Sequence, residues 1–395
     1  MVLPLLVSFL ATLAAAVMAY GTDPRWIAHP WGLGLIVLSR HLQWPLVATS
    51  LVLCLALLGL VISGKRRAWW LIALAPVLAL FVHRFMTAPT NRYAVLDEPA
   101  FVAAADAKHV RDEDFVVGVV FNDQTYAYPY AALWASPVIV QSDRQRRMLL
   151  IWSAYANAAT PLEVSRDVKA RDLDIVCDPA DTLLIHNGRT GEFVVGLTGM
   201  TTRGAKPAGV ETMLPATNQT WKQWRAIHPD TRVLAATSSS SGPVAPLTPR
   251  MPAPNAKLAI VIVSHGDVRL AIRSDDIGAA PLNLKIGDVP AVVFRDRITG
   301  EVRAFNRRLE DDLIPQFRLP RDAKQKEKGV AVVDADTNTG WSARGVAVDG
   351  SKDWRGKKLT PLEVREDLYL GPAQFWYANL PLYSASALAP ATAGR

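Results

Sequence analysis

Within its first ninety residues the chain carries three long runs of apolar side chains, and segments of that length are made to lie in lipid or to be removed before folding. Met1 to Tyr20 has no charged residue and reads as a transmembrane helix or a signal peptide. No Lys or Arg precedes its apolar core, and Val17-Met18-Ala19-Tyr20-Gly21 is a mediocre cleavage site, which favours retention as a helix. Pro45 to Ser63 is long enough to cross a hydrocarbon layer of ~30 Å. Lys65-Arg66-Arg67 follows at once. Ala68 to Met86 then supplies a third run, opening on Trp69-Trp70, with His83 and Arg84 placed for an interfacial exit. Trp31 to Leu38 is apolar but short, and Arg40 interrupts it, so it reads as an interfacial or re-entrant stretch. The expected membrane region is residues 1–90, with helices at about 1–20, 45–63 and 68–86. A buried hydrophobic hairpin in a soluble protein is the competing reading.

Orientation follows from charge. Basic residues flanking a span resist translocation, so Lys65-Arg66-Arg67 belongs in the cytoplasm. The second span then runs inward and the third outward, and everything after about Pro89 lies on the far side. Arg25, Arg40 and Arg92 on that outer side run against the rule. The expected location is the inner (cytoplasmic) membrane of a bacterium, multi-pass, with the C-terminal domain in the periplasm. The lipid bilayer is the first expected partner.

The net charge of +7 permits contact with anionic lipid or nucleic acid. Yet no long basic run interleaved with aromatics appears, so no nucleic-acid partner is expected. The two cysteines divide between a hydrophobic run (Cys54) and the later part of the chain (Cys177), which argues against a bond between them.

From Val95 onward the texture changes to short runs rich in β-branched and aromatic residues: Phe115 to Phe121, Met148 to Trp152, Thr182 to Ile185, Leu258 to Val263, Ala291 to Phe294 and Val330 to Val333. Turn pairs such as Asn187-Gly188, Thr190-Gly191 and Thr299-Gly300 separate many of them. Trp221 to Ile227 is the best helix candidate, with Asn218 or Thr220 as N-cap. The expected fold class is therefore N-terminal transmembrane α-helices followed by a β-rich, all-β to α+β, extracytoplasmic domain. The domain shows a degenerate internal duplication. Thr125 to Trp152 keeps the tempo of Val268 to Arg295, and Arg189-Thr190-Gly191 with Gly196 echoes Asn338-Thr339-Gly340 with Gly345. The halves are placed at 95–235 and 258–385, joined by an Ala-, Ser- and Pro-rich linker at 236–257 that includes Ser238 to Ser241. The match of Thr160-Pro161-Leu162-Glu163-Val164 with Thr360-Pro361-Leu362-Glu363-Val364 does not fit that register and is taken as coincidence.

Three places give the domain a family likeness. These are Ala127-Tyr128-Pro129, then Thr220-Trp221-Lys222-Gln223-Trp224 with His228-Pro229-Asp230-Thr231 and Val233-Leu234, and last a C-terminal pattern. That pattern has Asp334, Gly340-Trp341, Gly345, Gly350, Gly356, Leu359 and Phe375-Trp376. On these residues the stretch from about 97 to 385 resembles the bacterial family known as domain of unknown function 3179. The resemblance implies a fold and a setting, and no reaction. It also exposes a departure. Many members have Cys-x-x-Cys directly after the strand that here ends at Trp152, a spacing that lets two sulfurs share a disulfide or a metal. Here Ser153 and Ala156 stand in those places, so the site is degenerate.

Few other residues offer chemistry. Cys177, His186 and His228 are the catalytic candidates, each set against a structural role: an unpaired small hydrophobe for Cys177, and a turn-fixing ring before Pro229 for His228. Tyr126, Tyr128, Trp152, Trp221 and Trp224 are ligand-binding candidates as aromatics able to line a groove, against ordinary core packing. Trp341, Trp354 and Trp376 extend that aromatic set. Asp334 and Asp336, with Asp311 and Asp312, lack the spacing of a calcium loop, and Ser238 to Ser241 lack a nucleophile elbow. No phosphate-binding glycine loop opens a helix, and no cofactor or metal is expected. The leading expectation is a non-catalytic or degenerate membrane-anchored domain that binds a ligand or an envelope partner. A redox, hydrolytic or metal-dependent enzyme with a site assembled from dispersed residues is the alternative, and a structural subunit of a membrane complex the third.

Overall fold

The computed structural model of the chain describes residues 2–64, 68–236, 242–250, 257–266, 268–278, 280–310, 312–321, 325, 329–350, 353–377 and 380–383. Lys65-Arg66-Arg67, Ser238 to Ser241, Asp311 and parts of the expected linker at 236–257 lie outside the described residues.

The chain opens on helices α1 (Val2–Tyr20), α2 (Gly32–His41), α3 (Gln43–Ile62) and α4 (Leu74–Thr87). The first and third of these, and the segment Trp70–Thr87 that ends in the fourth, are each long and apolar enough to cross a membrane. Pro45 falls in the first turn of α3, where its missing N–H has no intrahelical partner to lose. Ala11, Ala14 and Ala15 form a small-residue face on α1 that lets α3 approach, and Ser50 Oγ of α3 donates to the Ala11 carbonyl at 3.2 Å.

The stretch after Trp31 is a ten-residue helix, and its sequence explains where it goes. Leu33, Ile36, Val37 and Arg40 recur at helical spacing and so share one stripe. That stripe lies on the β-rich domain. Ile36 is fully buried in a domain cluster, Leu33 and Val37 pack against it, and Arg40 pairs with Asp174. Trp31 and Leu38 are exposed instead. The close entry into this helix requires a glycine, because a Cβ on Gly32 would sit 1.7 Å from the Trp26 carbonyl oxygen.

The β-rich part begins with β1 (Val95–Asp97), β2 (Phe101–Ala103), β3 (Phe115–Phe121) and β4 (Gln124–Pro129). After α5 (Tyr130–Ala135) come β5 (Val138–Asp143), β6 (Arg146–Ser153), β7 (Ala158–Val164), β8 (Leu173–Cys177) and β9 (Leu184–Asn187). Next are β10 (Phe193–Val195), β11 (Val210–Met213), β12 (Ala216–Thr220), α6 (Trp221–Ile227) and β13 (Arg232–Leu234). The remainder starts with β14 (Ala259–His265), β15 (Val268–Arg273), β16 (Leu282–Ile286), β17 (Val289–Arg295) and β18 (Val302–Asn306). It continues through β19 (Phe317–Arg318), β20 (Val330–Asp334), β21 (Gly340–Ser342), β22 (Ala347–Asp349) and β23 (Thr360–Pro361). It ends with β24 (Glu363–Tyr369), α7 (Leu370–Trp376) and β25 (Leu382–Tyr383).

These strands form several sheets. In the earlier part the orders are β1-β5-β6-β7-β11, β10-β9-β8 and β12-β3-β4-β13-β2. In the later part they are β24-β14-β15-β25, β16-β17-β18-β23 and β19-β20-β21-β22. One connection occurs in both. A strand antiparallel to the first arm of a hairpin leads into a short helix, and the strand after the helix lies parallel to the hairpin's second arm. The strand residues alternate or run apolar as their burial demands, and the largest core draws on three regions at once. Ala156, Cys177, Leu184 and Phe193 meet Ile260, Ile262, Leu368 and Ala373 of the later part, with Ile36 among them.

Candidate functional site

The thiol position is a closed corner. Ser153 is the last residue of β6, and the turn Ala154–Asn157 returns the chain into β7. The buried Ser153 hydroxyl lies 2.7 Å from Thr182 Oγ1 and accepts from the Leu183 N–H at 3.4 Å, so its hydrogen-bonding capacity is spent on the neighbouring loop. Ala156 is fully buried in the same apolar cluster as Cys177. Asn157, in left-handed backbone, fixes the turn: its side-chain oxygen accepts from Tyr130 Oη at 2.7 Å and its carbonyl from Asn218 Nδ2 at 2.9 Å. A cavity of about 20 Å³ remains beside Ser153, room for about one water and no substrate. Over it lies Arg250. Its guanidinium sits 3.7 Å from the centre of the Tyr155 ring, pairs with Asp178, and reaches Asp181 at 3.5 Å.

The catalytic candidates stand apart. Cys177 is buried, and removal from water pushes its thiol well above the ordinary range, which keeps it protonated and unreactive. It faces Leu184 across the β8–β9 ladder, whereas His186 faces Asp174. The His186 ring packs on Phe193 and His41, its Nδ1 is buried without a partner, and burial lowers its pKa. His228 ends α6, with its ring 4.1 Å from that of Trp224, and burial lowers its pKa too. Among the described residues no hydrogen bond joins any two of these three side chains. The aromatic candidates are all core residues. Tyr128 donates to Gln141 Oε1 at 2.6 Å, Trp224 Nε1 to Thr231 Oγ1 at 3.0 Å, and Tyr126, Trp152 and Trp221 are buried. Among the described residues no three His, Cys, Asp or Glu side chains gather as a metal-ligand set.

A much larger space opens between the earlier and later sheets. This cleft has a volume of about 760 Å³, well within the range of ligand sites, and a smaller recess of about 170 Å³ adjoins it through Thr217, Asn218, Glu301 and Glu366. Its walls are mixed. Leu214, Ala216, Val302, Phe305 and Leu362 supply apolar surface, while Arg344, Arg365 and Glu363 supply charge. Among the described residues, three buried side-chain atoms of β12 have no hydrogen-bond partner: Thr217 Oγ1 and Gln219 Nε2 on one face of the strand and Asn218 Oδ1 on the other. Arg365 ties the earlier part to the later one beside the cleft, donating to Thr160 Oγ1 at 2.8 Å and to Tyr377 Oη at 2.9 Å. Glu366 is half-buried, accepts from the Val302 N–H at 2.6 Å and pairs with Arg295, and burial raises its pKa.

Sequence reasoning did not single out Thr217, Gln219, Arg365 or Glu366. The cleft exists through pairing between strands far apart in the chain, and no local pattern announces that. Pro215 and Pro361, each beside or within an edge strand, were the available hint.

The comparisons agree with the resemblance noted in the sequence. No curated protein and no solved structure matches this chain. Residues 94–378 match the family model described as a protein of unknown function, DUF3179. With most of its length in that match, the chain belongs to the DUF3179 family.

Proposed function

We propose that the chain is a membrane-anchored bacterial envelope protein whose β-rich domain, on the periplasmic face, binds a ligand in the cleft between its two halves and has no catalysis of its own at the thiol position. The observation that carries this reading is the cleft itself: about 760 Å³ of mixed apolar and charged surface between the earlier and later sheets. The corner where relatives hold two thiols supports its second clause, because Ser153 is engaged by Thr182 and Leu183 and Ala156 is core. The periplasmic orientation rests on Lys65-Arg66-Arg67 between the second and third apolar segments.

We further infer that the two halves descend from an internal duplication, and the connection shared by β12-β3-β4-β13 and β24-β14-β15-β25 supports it. On that reading the cleft lies between equivalent strands, β7 and β12 facing β18 and β24.

The test is native mass spectrometry of the full chain purified in detergent, beside Ala343→Trp, which fills the cleft. A bound species carried by the native chain and lost from the variant is the expected result. Retention of the same species by a folded variant would sink the cleft reading. An alkaline phosphatase fusion after Tyr383 checks the orientation, since that reporter is active only outside the cytoplasm.

A further inference from the structure

The walls of the cleft are sheet edges. Successive side chains of a strand point to opposite faces, so a cavity lying on a sheet face touches every second residue. This cleft touches the consecutive runs 212–218, 301–305 and 361–366 instead. Lining without alternation means that the cavity meets the strands side-on, along their backbones. The topology agrees: β11, β12, β23 and β24 are each the terminal strand of their sheet.

The direction of the backbone groups on β12 can be worked out. In an antiparallel pair, residues that exchange both hydrogen bonds alternate with residues that exchange none. Trp221 N–H donates to the Asp114 carbonyl at 2.7 Å, while Phe115 N–H donates away from β12, to the Val244 carbonyl at 2.8 Å. Phe115 opposite Thr220 is therefore a non-bonded pair. Gln219 with Val116 and Thr217 with Gly118 are then the bonded ones. It follows that Ala216, Asn218 and Thr220 turn their N–H and C=O groups away from β3. The Thr220 N–H is taken by Gln223 Oε1 at 3.1 Å. Ala216 and Asn218 remain, two residues apart, the spacing at which a neighbouring strand pairs.

We propose that the occupant of the cleft is an extended peptide segment that adds to the free edge of β12 as a strand, hydrogen-bonding through its main chain to Ala216 and Asn218. This rests on the cleft being the binding site. Exposed edges of this kind are pairing templates unless they are blocked, and here prolines stand at Pro215, just before β12, and at Pro361 in β23. The edge from Ala216 to Asn218 carries no proline and pairs with no strand among the described residues. On the facing wall the Val302 N–H is already satisfied by the Glu366 carboxylate, so pairing is directed to β12.

The probe is a library of random ten-residue peptides, selected against the full chain in detergent and counter-selected against Ala343→Trp. The selected peptides are resynthesised with one backbone N-methyl group at each position in turn. Affinity should fall about tenfold or more when the N-methyl group lies on the residues that pair, and change little on the residues between them, giving a period of two. The amides of Ala216 and Asn218 should exchange with deuterium more slowly in the complex. Ala216→Pro removes a donor that bonds nothing in β3, so it should weaken every selected peptide about tenfold while leaving the unfolding midpoint unchanged. Peptides that Ala343→Trp excludes but whose N-methyl profile has no period overturn strand addition and leave the cleft reading standing. Failure to enrich any peptide over Ala343→Trp overturns the peptide as occupant. A dimer of the chain that Ala216→Pro dissolves assigns the edge to a second copy and overturns it as well.

Discussion

Ser153 shows how one atom changes what a corner can do. Its hydroxyl closes a hydrogen-bonded link between the end of β6 and the loop before β9. Ser153→Ala leaves Thr182 Oγ1 and the Leu183 N–H without that partner in a buried setting, and should cost about 1–3 kcal/mol in urea unfolding. The histidines make a second prediction. Burial lowers the folded pKa of both His186 and His228 below the ordinary 6.5. The unfolded chain then binds more protons than the folded one between that lower value and 6.5, so stability is greatest above pH 6.5 and falls as the pH drops through this window. Urea midpoints of the native chain should decline between pH 7.5 and 5.5, and those of His186→Gln should decline less; parallel curves would remove His186 from the account. The identities of Ser153 and Ala156 stand in the sequence itself. Their surroundings could not be read there, because Thr182 and Leu183 reach Ser153 only through the fold.

The elements differ in how much of them could be read. The strand Phe115–Phe121 and the helix Trp221–Ile227 were legible to the residue, because each carries its own signal. The strand is a β-branched run, and the helix has a capping box in which Thr220 and Gln223 exchange side-chain and backbone bonds. These two elements meet at Gly118. A Cβ there would lie 2.3 Å from the Trp224 ring, and the ring cannot retreat because Thr231 holds its N–H and His228 covers a face. Gly118→Ala should therefore destabilise the domain by about 3 kcal/mol, read as a shifted denaturant midpoint, although the exchange would be mild at an open position. The helix Gly32–His41 was the element missed. Apolar residues occupy both its sides, so its composition suggested the membrane surface. The stripe of Leu33, Ile36, Val37 and Arg40 was present in the sequence, but its partner is a cluster built from residues more than a hundred positions later.

At the scale of the whole molecule, that cluster decides how the parts relate. The two halves and α2 contribute to one continuous apolar core, with Ile36 completely enclosed in it. Ile36→Ala should cost about 2–5 kcal/mol, the range for truncating a buried isoleucine. The measurement is thermal unfolding of the full chain in detergent, where a change near zero would show the seat of α2 to be dispensable. Arg40, which runs against the expected charge bias on the outer side, is accounted for at this scale: it is an ion-pair partner of Asp174. The β-rich character and the apolar N-terminal helices could be read from composition and pattern. The shared core could not, because it arises where distant segments converge.

The burial of Ile36 also sets an order of events during biogenesis. Synthesis delivers α2 before any strand of the domain, yet the bed that receives it is finished only when Leu368 and Ala373 arrive near the end of the chain. The helix must therefore wait, its apolar stripe uncovered, while the strands assemble. Until Ile36 is seated, its socket is open apolar surface, and such a socket is what quality-control proteases and holding chaperones recognise.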